Sequence, residues 1–160
     1  MFIHEWERLV ITGIYHVNVN CTDIERSRAF YELLGFRVVA EFEEKDNPSL
    51  NKGLGIPASH TQALFLKAGR GRDATLIDLV QWRRPVSPPK GEVEKDIAAL
   101  GVPRIALKAE NLLRLYEDLK AKGVEFVSEP QQLAFPEFGT EPLFCVCLDP
   151  DGLLIELVEV

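Results

Sequence analysis

The chain is short of cysteine, of basic residues and of long apolar runs, and each shortage excludes something. It holds three cysteines in 160 residues, an odd count that does not describe a disulfide framework. Cys145 and Cys147 occupy alternate positions of an apparent strand, where side chains on one face are poorly placed to bridge each other. All three read as buried small hydrophobes of a protein in a reducing, cytoplasmic compartment. Lys and Arg number 18 against 25 Asp and Glu, for a formal charge of -7. The basic residues are scattered, so no stripe suits a nucleic-acid partner. No apolar stretch reaches the length of a membrane span. Residues 1–7 mix acids into their apolar residues, unlike a signal peptide. An apolar content of 46% is enough for one domain, or for two very small ones that must share a core.

What the chain does have is the same short program twice. Ile14-Tyr15-His16-Val17-Asn18-Val19 leads into a helix opened near Asp23 and closed by Gly35, and a later strand reads Leu76-Ile77-Asp78-Leu79-Val80. Val102-Pro103-Arg104-Ile105-Ala106-Leu107 leads into a helix opened by Asn111 and closed by Gly123, and the last strand reads Leu154-Ile155-Glu156-Leu157-Val158. His16 precedes Asp23 by seven residues and Gly35 by nineteen, and Arg104 precedes Asn111 and Gly123 by the same steps. Such a repeat fixes architecture. It also makes His16, Asp78, Arg104 and Glu156 equivalent positions.

Each copy reads β-α-β-β-β. In the first opening strand Tyr15, Val17 and Val19 alternate with His16, Asn18 and Asn20, the period of a strand covered on one side. Thr22-Asp23-Ile24-Glu25 fits a capping box, and Leu112, Leu115, Tyr116 and Leu119 recur at helical spacing. Further strands are expected at 36–42, 62–67 and 75–82, then at 125–127, 143–148 and 153–158, with a hairpin turn at Asp149-Pro150-Asp151-Gly152. Residues 69–73 read as a flexible link. Residues 43–61 and 128–142 stand at the same place in both copies as long loops, which inside a domain are usually functional. The expected organisation is one domain: a first module at about 13–83, a proline-rich connector at 84–99 and a second module at about 100–160.

These residues resemble the vicinal oxygen chelate superfamily, which includes glyoxalase I, extradiol dioxygenases and bleomycin-binding proteins. The likeness rests on the strand with His16, on Asp23-Ile24-Glu25-Arg26-Ser27-Arg28-Ala29-Phe30-Tyr31 with Gly35-Phe36 following, and on Asp149-Pro150-Asp151-Gly152 followed by Ile155-Glu156-Leu157. The resemblance implies an α+β fold of two tandem β-α-β-β-β modules forming a cup-shaped sheet with helices outside. It also implies a small-molecule ligand, a homodimer and often a divalent metal (Zn, Ni, Co, Mn or Fe). Carried over by position, the metal ligands are His16, Asp78 and Glu156, with Arg104 at the fourth place.

Arg104 argues against that metal. A guanidinium has no available lone pair and stays protonated. A unit charge about 5 Å from a divalent ion, at an effective dielectric near 20, costs roughly 6 to 7 kcal/mol. Asp78 is also shorter than the glutamate or glutamine common at its position. A carboxylate buried mid-strand needs a partner, so an ion pair of Arg104 with Asp78 or Glu156 is the plainest expectation. His60 is a candidate replacement ligand, and His4 a weaker one. The function expected is a glyoxalase-like lyase or isomerase working through an enolate. Glu156 and Asp78 are its candidate proton movers, and Arg104 and Asn18 bind an anionic substrate. The alternative is a metal-free sequestering protein in which Phe65, Trp82, Phe135 or Phe138 grips a flat ligand. An extradiol dioxygenase is the weakest version, because the facial set of two histidines and a carboxylate that iron favours is not evident.

Overall fold

Alternation along the strands sorts the side chains of this chain into a core face and an outer face. The structure is a computed structural model and describes residues 13–69, 75–86, 101–102, 104–132 and 141–159. The first copy runs β1 (His16–Cys21), α1 (Ile24–Leu33), β2 (Arg37–Lys45), α2 (Pro48–Leu54), β3 (His60–Lys67) and β4 (Leu76–Arg84). The second runs β5 (Arg104–Lys108), α3 (Leu112–Ala121), β6 (Gln131–Gln132), β7 (Leu143–Leu148) and β8 (Leu154–Glu159). They form two four-stranded mixed sheets, ordered β1-β4-β3-β2 and β5-β8-β7-β6. The first and last strands of each module pair in parallel, and the other neighbours are antiparallel.

The two modules share one core. Val19, Cys21, Leu64, Leu66, Ile77 and Leu79 of the first sheet belong to the same buried cluster as Cys145, Cys147, Ile155 and Leu157 of the second, together with Phe30 and Tyr31 of α1 and Leu112, Tyr116 and Leu119 of α3. Residues one step out of phase lie on the faces turned away from that core.

A polar latch accompanies the apolar contact. Asp151, in the turn before β8, accepts hydrogen bonds from the Thr22 backbone N–H at 3.0 Å, from the Thr22 hydroxyl and from Arg26 Nη2 at 2.8 Å. The neighbouring Asp149, 4% exposed, accepts from the Tyr31 hydroxyl at 3.2 Å and from the backbone N–H groups of Asp151 and Leu153. The helix motif and the turn motif picked out in the sequence are thus two sides of one contact between modules.

Local details correct several expectations. The cap of α1 is Asp23 alone, whose Oδ1 accepts from Glu25 N and Arg26 N, while the Thr22 hydroxyl is committed to Asp151. Asn111 stands before α3 in a left-handed conformation and makes no side-chain cap. Glu159 of β8 takes that role, accepting from Asn111 N and Leu112 N. Residues 125–127 form no strand but an isolated bridge, Phe126 to Cys147, and the fourth strand of the second sheet is Gln131–Gln132. Gly35 and Gly123 end their helices with φ of +89° and +85°, a region glycine enters without a Cβ penalty. The link at 69–73, most of the connector at 84–99, Phe135, Phe138 and His4 lie outside the described residues apart from Gly69 and 84–86. No described helix is long and apolar enough to cross a membrane.

Candidate functional site

The duplication holds at the level of strand register. Asn18 lies opposite Asp78 in the β1–β4 pair, and Ala106 lies opposite Glu156 in the β5–β8 pair. His16 and Arg104 stand two residues earlier on their strands. All four repeat-related residues therefore sit on outer faces, two on each sheet.

On the first sheet His16 Nε2 is 3.9 Å from Asp78 Oδ2. Asn18 donates from Nδ2 to the Asp78 carbonyl oxygen at 3.2 Å and to Oδ2 at 3.4 Å. Asp78 Oδ1 is buried with no hydrogen-bond partner among the described residues, a costly condition for a carboxylate oxygen. Burial pushes this carboxyl above the usual carboxylate range, and the charge of His16 and the Asn18 hydrogen bond offset part of the rise. On the second sheet the position of Asn18 is taken by Ala106, and Arg104 Nε donates to Glu156 Oε2. The ion pair expected for Arg104 is formed, with Glu156 as its partner.

His16, Asn18 and Asp78 line a cleft of about 510 Å³ on the outer face of the first sheet. Its walls are Phe42, Phe65 and Trp82, with Thr61, Ala63 and Val80 on the floor and Leu50, Leu54 and Glu44 at the side. Phe65 packs edge-on to Phe42 at 5.0 Å between ring centroids and lies 5.8 Å from the His16 ring. Trp82 Nε1 donates to Asn20 Oδ1 at 2.9 Å, which fixes the indole. Arg104 and Glu156 do not line this cleft.

Leu50 and Leu54 come from α2, inside a segment expected to be a loop. Asn47 caps that helix through Oδ1 to Ser49 N and Leu50 N, and Pro48 occupies the first turn, where its missing N–H costs nothing. Asn-Pro-Ser was the available start signal, but the helix is only seven residues long, too short for a periodic apolar pattern. His60 lies 2.9 Å from Glu43 and is not in the cleft. A larger cavity of about 730 Å³ lies between the modules, lined by Val17, Ile77, Ile105, Leu107 and Leu157 among others. Those residues belong to or pack on the shared core, while Lys108 and Glu110 are the charged side chains among its described lining.

The metal implied by the resemblance requires several lone-pair donors aimed at one point. Among the described residues no group of three or more His, Cys, Asp or Glu side chains is arranged to hold an ion. His16 and Asp78 offer two donors. Glu156 is on the other sheet and engaged by Arg104, so the described residues of one chain do not fit the metal.

Comparison with known proteins agrees with the duplicated fold. Residues 13–157 match the model of the Glyoxalase/Bleomycin resistance protein/Dioxygenase superfamily. Over 156 residues the chain is 28% identical to the uncharacterized protein YwkD of Bacillus subtilis (strain 168), covering 94% of this chain and 99% of that protein. A glyoxalase family protein from Bacillus cereus superposes with a TM-score of 0.81 at 17% identity, over 95% of this chain and 96% of that one. The trypanothione-dependent glyoxalase I of Leishmania major gives 0.62 at 24% identity, over 93% and 87%. The two structural likenesses concern the fold. A duplicated β-α-β-β-β unit with matching strand registers and a family match across nearly its whole length make this chain a member of the Glyoxalase/Bleomycin resistance protein/Dioxygenase superfamily.

Proposed function

We propose that the protein is a small-molecule enzyme of the lyase or isomerase type that forms an enolate in the cleft of the first module, with Asp78 as the proton-moving group. The observation that carries this reading is the carboxyl of Asp78. It is held by Asn18 beside His16, keeps one oxygen without a partner among the described residues, and lies in a cleft walled mainly by apolar and aromatic side chains, with Glu44 and Thr61 among them. A general base must reach the proton it takes, and it is stronger when its proton affinity is not lowered by tight ion pairing. Asp78 meets the second condition, and the first follows for a carbonyl compound seated against Phe65. His16 stabilises the negative charge that develops next to it, and Asn18 orients the carboxyl. No step is assigned to a metal.

Glu156 and Arg104 enter this chemistry only through a second copy of the chain. β1 and β5 are the end strands of their sheets, and the exposed Ile14, Tyr15 and Val102 stand just before them. That combination of open strand edge and exposed apolar side chains supports a homodimer, which sedimentation equilibrium tests. Deuterium exchange tests the chemistry. Neutral hemithioacetals of an arylglyoxal and an uncharged thiol, incubated in D₂O with the full chain, should exchange the hydrogen on the hydroxyl- and sulfur-bearing carbon next to the aryl ketone. Asp78→Asn should abolish that exchange while keeping a native circular dichroism spectrum. Exchange that is absent with the unmodified protein, or that survives the substitution, contradicts the proposal. The three aromatic walls support a second reading, sequestration, which has its own signature of saturable binding without exchange.

A further inference from the structure

Three features of the first module's cleft bear on what it accepts, and apart from Asp78 none of the groups involved is needed for the proton chemistry. The first is charge. Two carboxylates, Asp78 and Glu44, line the cleft, and no lysine or arginine does among the described residues. Arg104, the cation expected to attract an anion, is committed to Glu156. If a partner copy brought that pair to the cleft, it would arrive without net charge. The second is shape and polarity. Phe42 and Phe65 meet edge to face and Trp82 is tied by Asn20, so the aromatic walls are rigid planes in a space of drug-like size.

The third feature is the anchoring of α2. Asp46 N donates to Ser59 O at 2.8 Å, Ser59 N donates to Asp46 Oδ1 at 3.3 Å, and the Ser59 hydroxyl bonds Asn51. Arg84 of β4 closes on the Asp46 carboxylate. These contacts tie the segment before and after α2 to the sheet, so Leu50 and Leu54 form a fixed wall and not a swinging lid. Because backbone and side-chain bonds hold the helix while two leucines face the cleft, their size and charge can change without loosening their support.

We propose that this cleft takes a planar ligand that is neutral or positively charged, and that Leu50 and Leu54 of α2 determine which ligands fit. The proposal rests on the cleft being the functional site and adds the ligand's chemical class and the residues that select it. A ligand that arrives as an anion is disfavoured because it would approach the acids Asp78 and Glu44 with no lysine or arginine among the described residues to offset them, His16 being paired with Asp78. A positive group over the ring faces is favoured by the negative faces of the aromatics as well as by the acids.

The test uses three probes of one shape and different charge: 2-naphthol, 2-naphthylmethylammonium and 2-naphthoate. Dissociation constants are measured for the full chain at neutral pH, and contact is followed on the indole N–H resonance of Trp82. Naphthol and the ammonium are expected to bind at least tenfold more tightly than the carboxylate. Leu54→Lys, at an exposed position, should narrow or reverse that order, and Leu50→Ala should weaken naphthol binding severalfold. Equal or tighter binding of naphthoate overturns the charge assignment, while a shifted Trp82 signal keeps the cleft as the site. Unchanged affinities in both leucine variants overturn the role of α2. If none of the three probes moves the Trp82 signal, the cleft itself fails as the site and this proposal fails with it.

Discussion

Replacing Asp151 by alanine should loosen the junction between the modules far more than its place in a surface turn suggests. Its carboxylate accepts from the backbone and the hydroxyl of Thr22 and from Arg26. The two bonds from Thr22 are worth about 1 kcal/mol each. Arg26 is half exposed, so its ion pair is screened and adds less than about 1 kcal/mol. The sum is about 2–3 kcal/mol, and at roughly 2–4 °C per kcal/mol for a domain of this size the melting temperature should fall by about 5–10 °C. Asp151→Asn keeps one acceptor oxygen for Thr22 but loses the charge, and should fall by about half as much. Differential scanning calorimetry on the three proteins reads this directly. Removing the exposed Arg28–Glu32 pair on the same helix is the control and should leave the melt unchanged. A shift under 1 °C for Asp151→Ala, or one no larger than the control, would refute the latch.

Three other outcomes are expected. Burial raises the carboxyl of Asp149 above the usual carboxylate range despite its backbone hydrogen bonds. The folded state therefore holds that proton more tightly than the unfolded chain, and its contribution is full below about pH 4 and lost as the pH rises through the raised value. Urea midpoints measured against pH should show this loss in the unmodified protein and not in Asp149→Asn; parallel curves would contradict it. Burial pushes the thiols of Cys21 and Cys147 up to about 12 and that of Cys145 up to about 11, so Ellman's reagent should find none of these three reactive at pH 8 in the native protein and all of them in denaturant. Because Arg104 stands where the resemblance implies a ligand and engages Glu156, added Zn, Ni, Co, Mn or Fe ions should leave the melting temperature unchanged, and a rise of several degrees at stoichiometric metal would count against the donor assignment.

The duplication was readable because it is written in spacing. The steps from His16 to Asp23 and Gly35 recur from Arg104, and both glycines end helices with positive φ. Alternation in β1 separated Val17 and Val19 from His16 and Asn18 correctly, since strand period assigns faces without knowledge of partners. It could not say which direction an outer face looks. Whether the four equivalent positions meet within one chain or across two copies was not legible in the spacing, and within the chain Arg104 and Glu156 do not line the cleft of His16 and Asp78. That arrangement depends on contacts such as Tyr31 with Asp149, 118 residues apart, which no local pattern records. The cap of α3 was missed for the same reason, because Glu159 arrives from the last strand. Thr22 was misread as part of a capping box because its hydroxyl is claimed by Asp151 from the other module. α2 was missed because seven residues hold too little periodicity to outweigh the Asn, Gly and Pro around them.

The most direct measurement is a crystal structure of the full chain soaked with 2-naphthol. The fused ring should lie against Phe65 and Leu54, with its hydroxyl within about 3 Å of the Asp78 carboxyl or His16 Nε2. A ring found instead in the seam lined by Ile77, Ile105 and Leu157, or against Arg104 and Glu156 with the first module's cleft empty, would contradict the assignment of the functional site to that cleft.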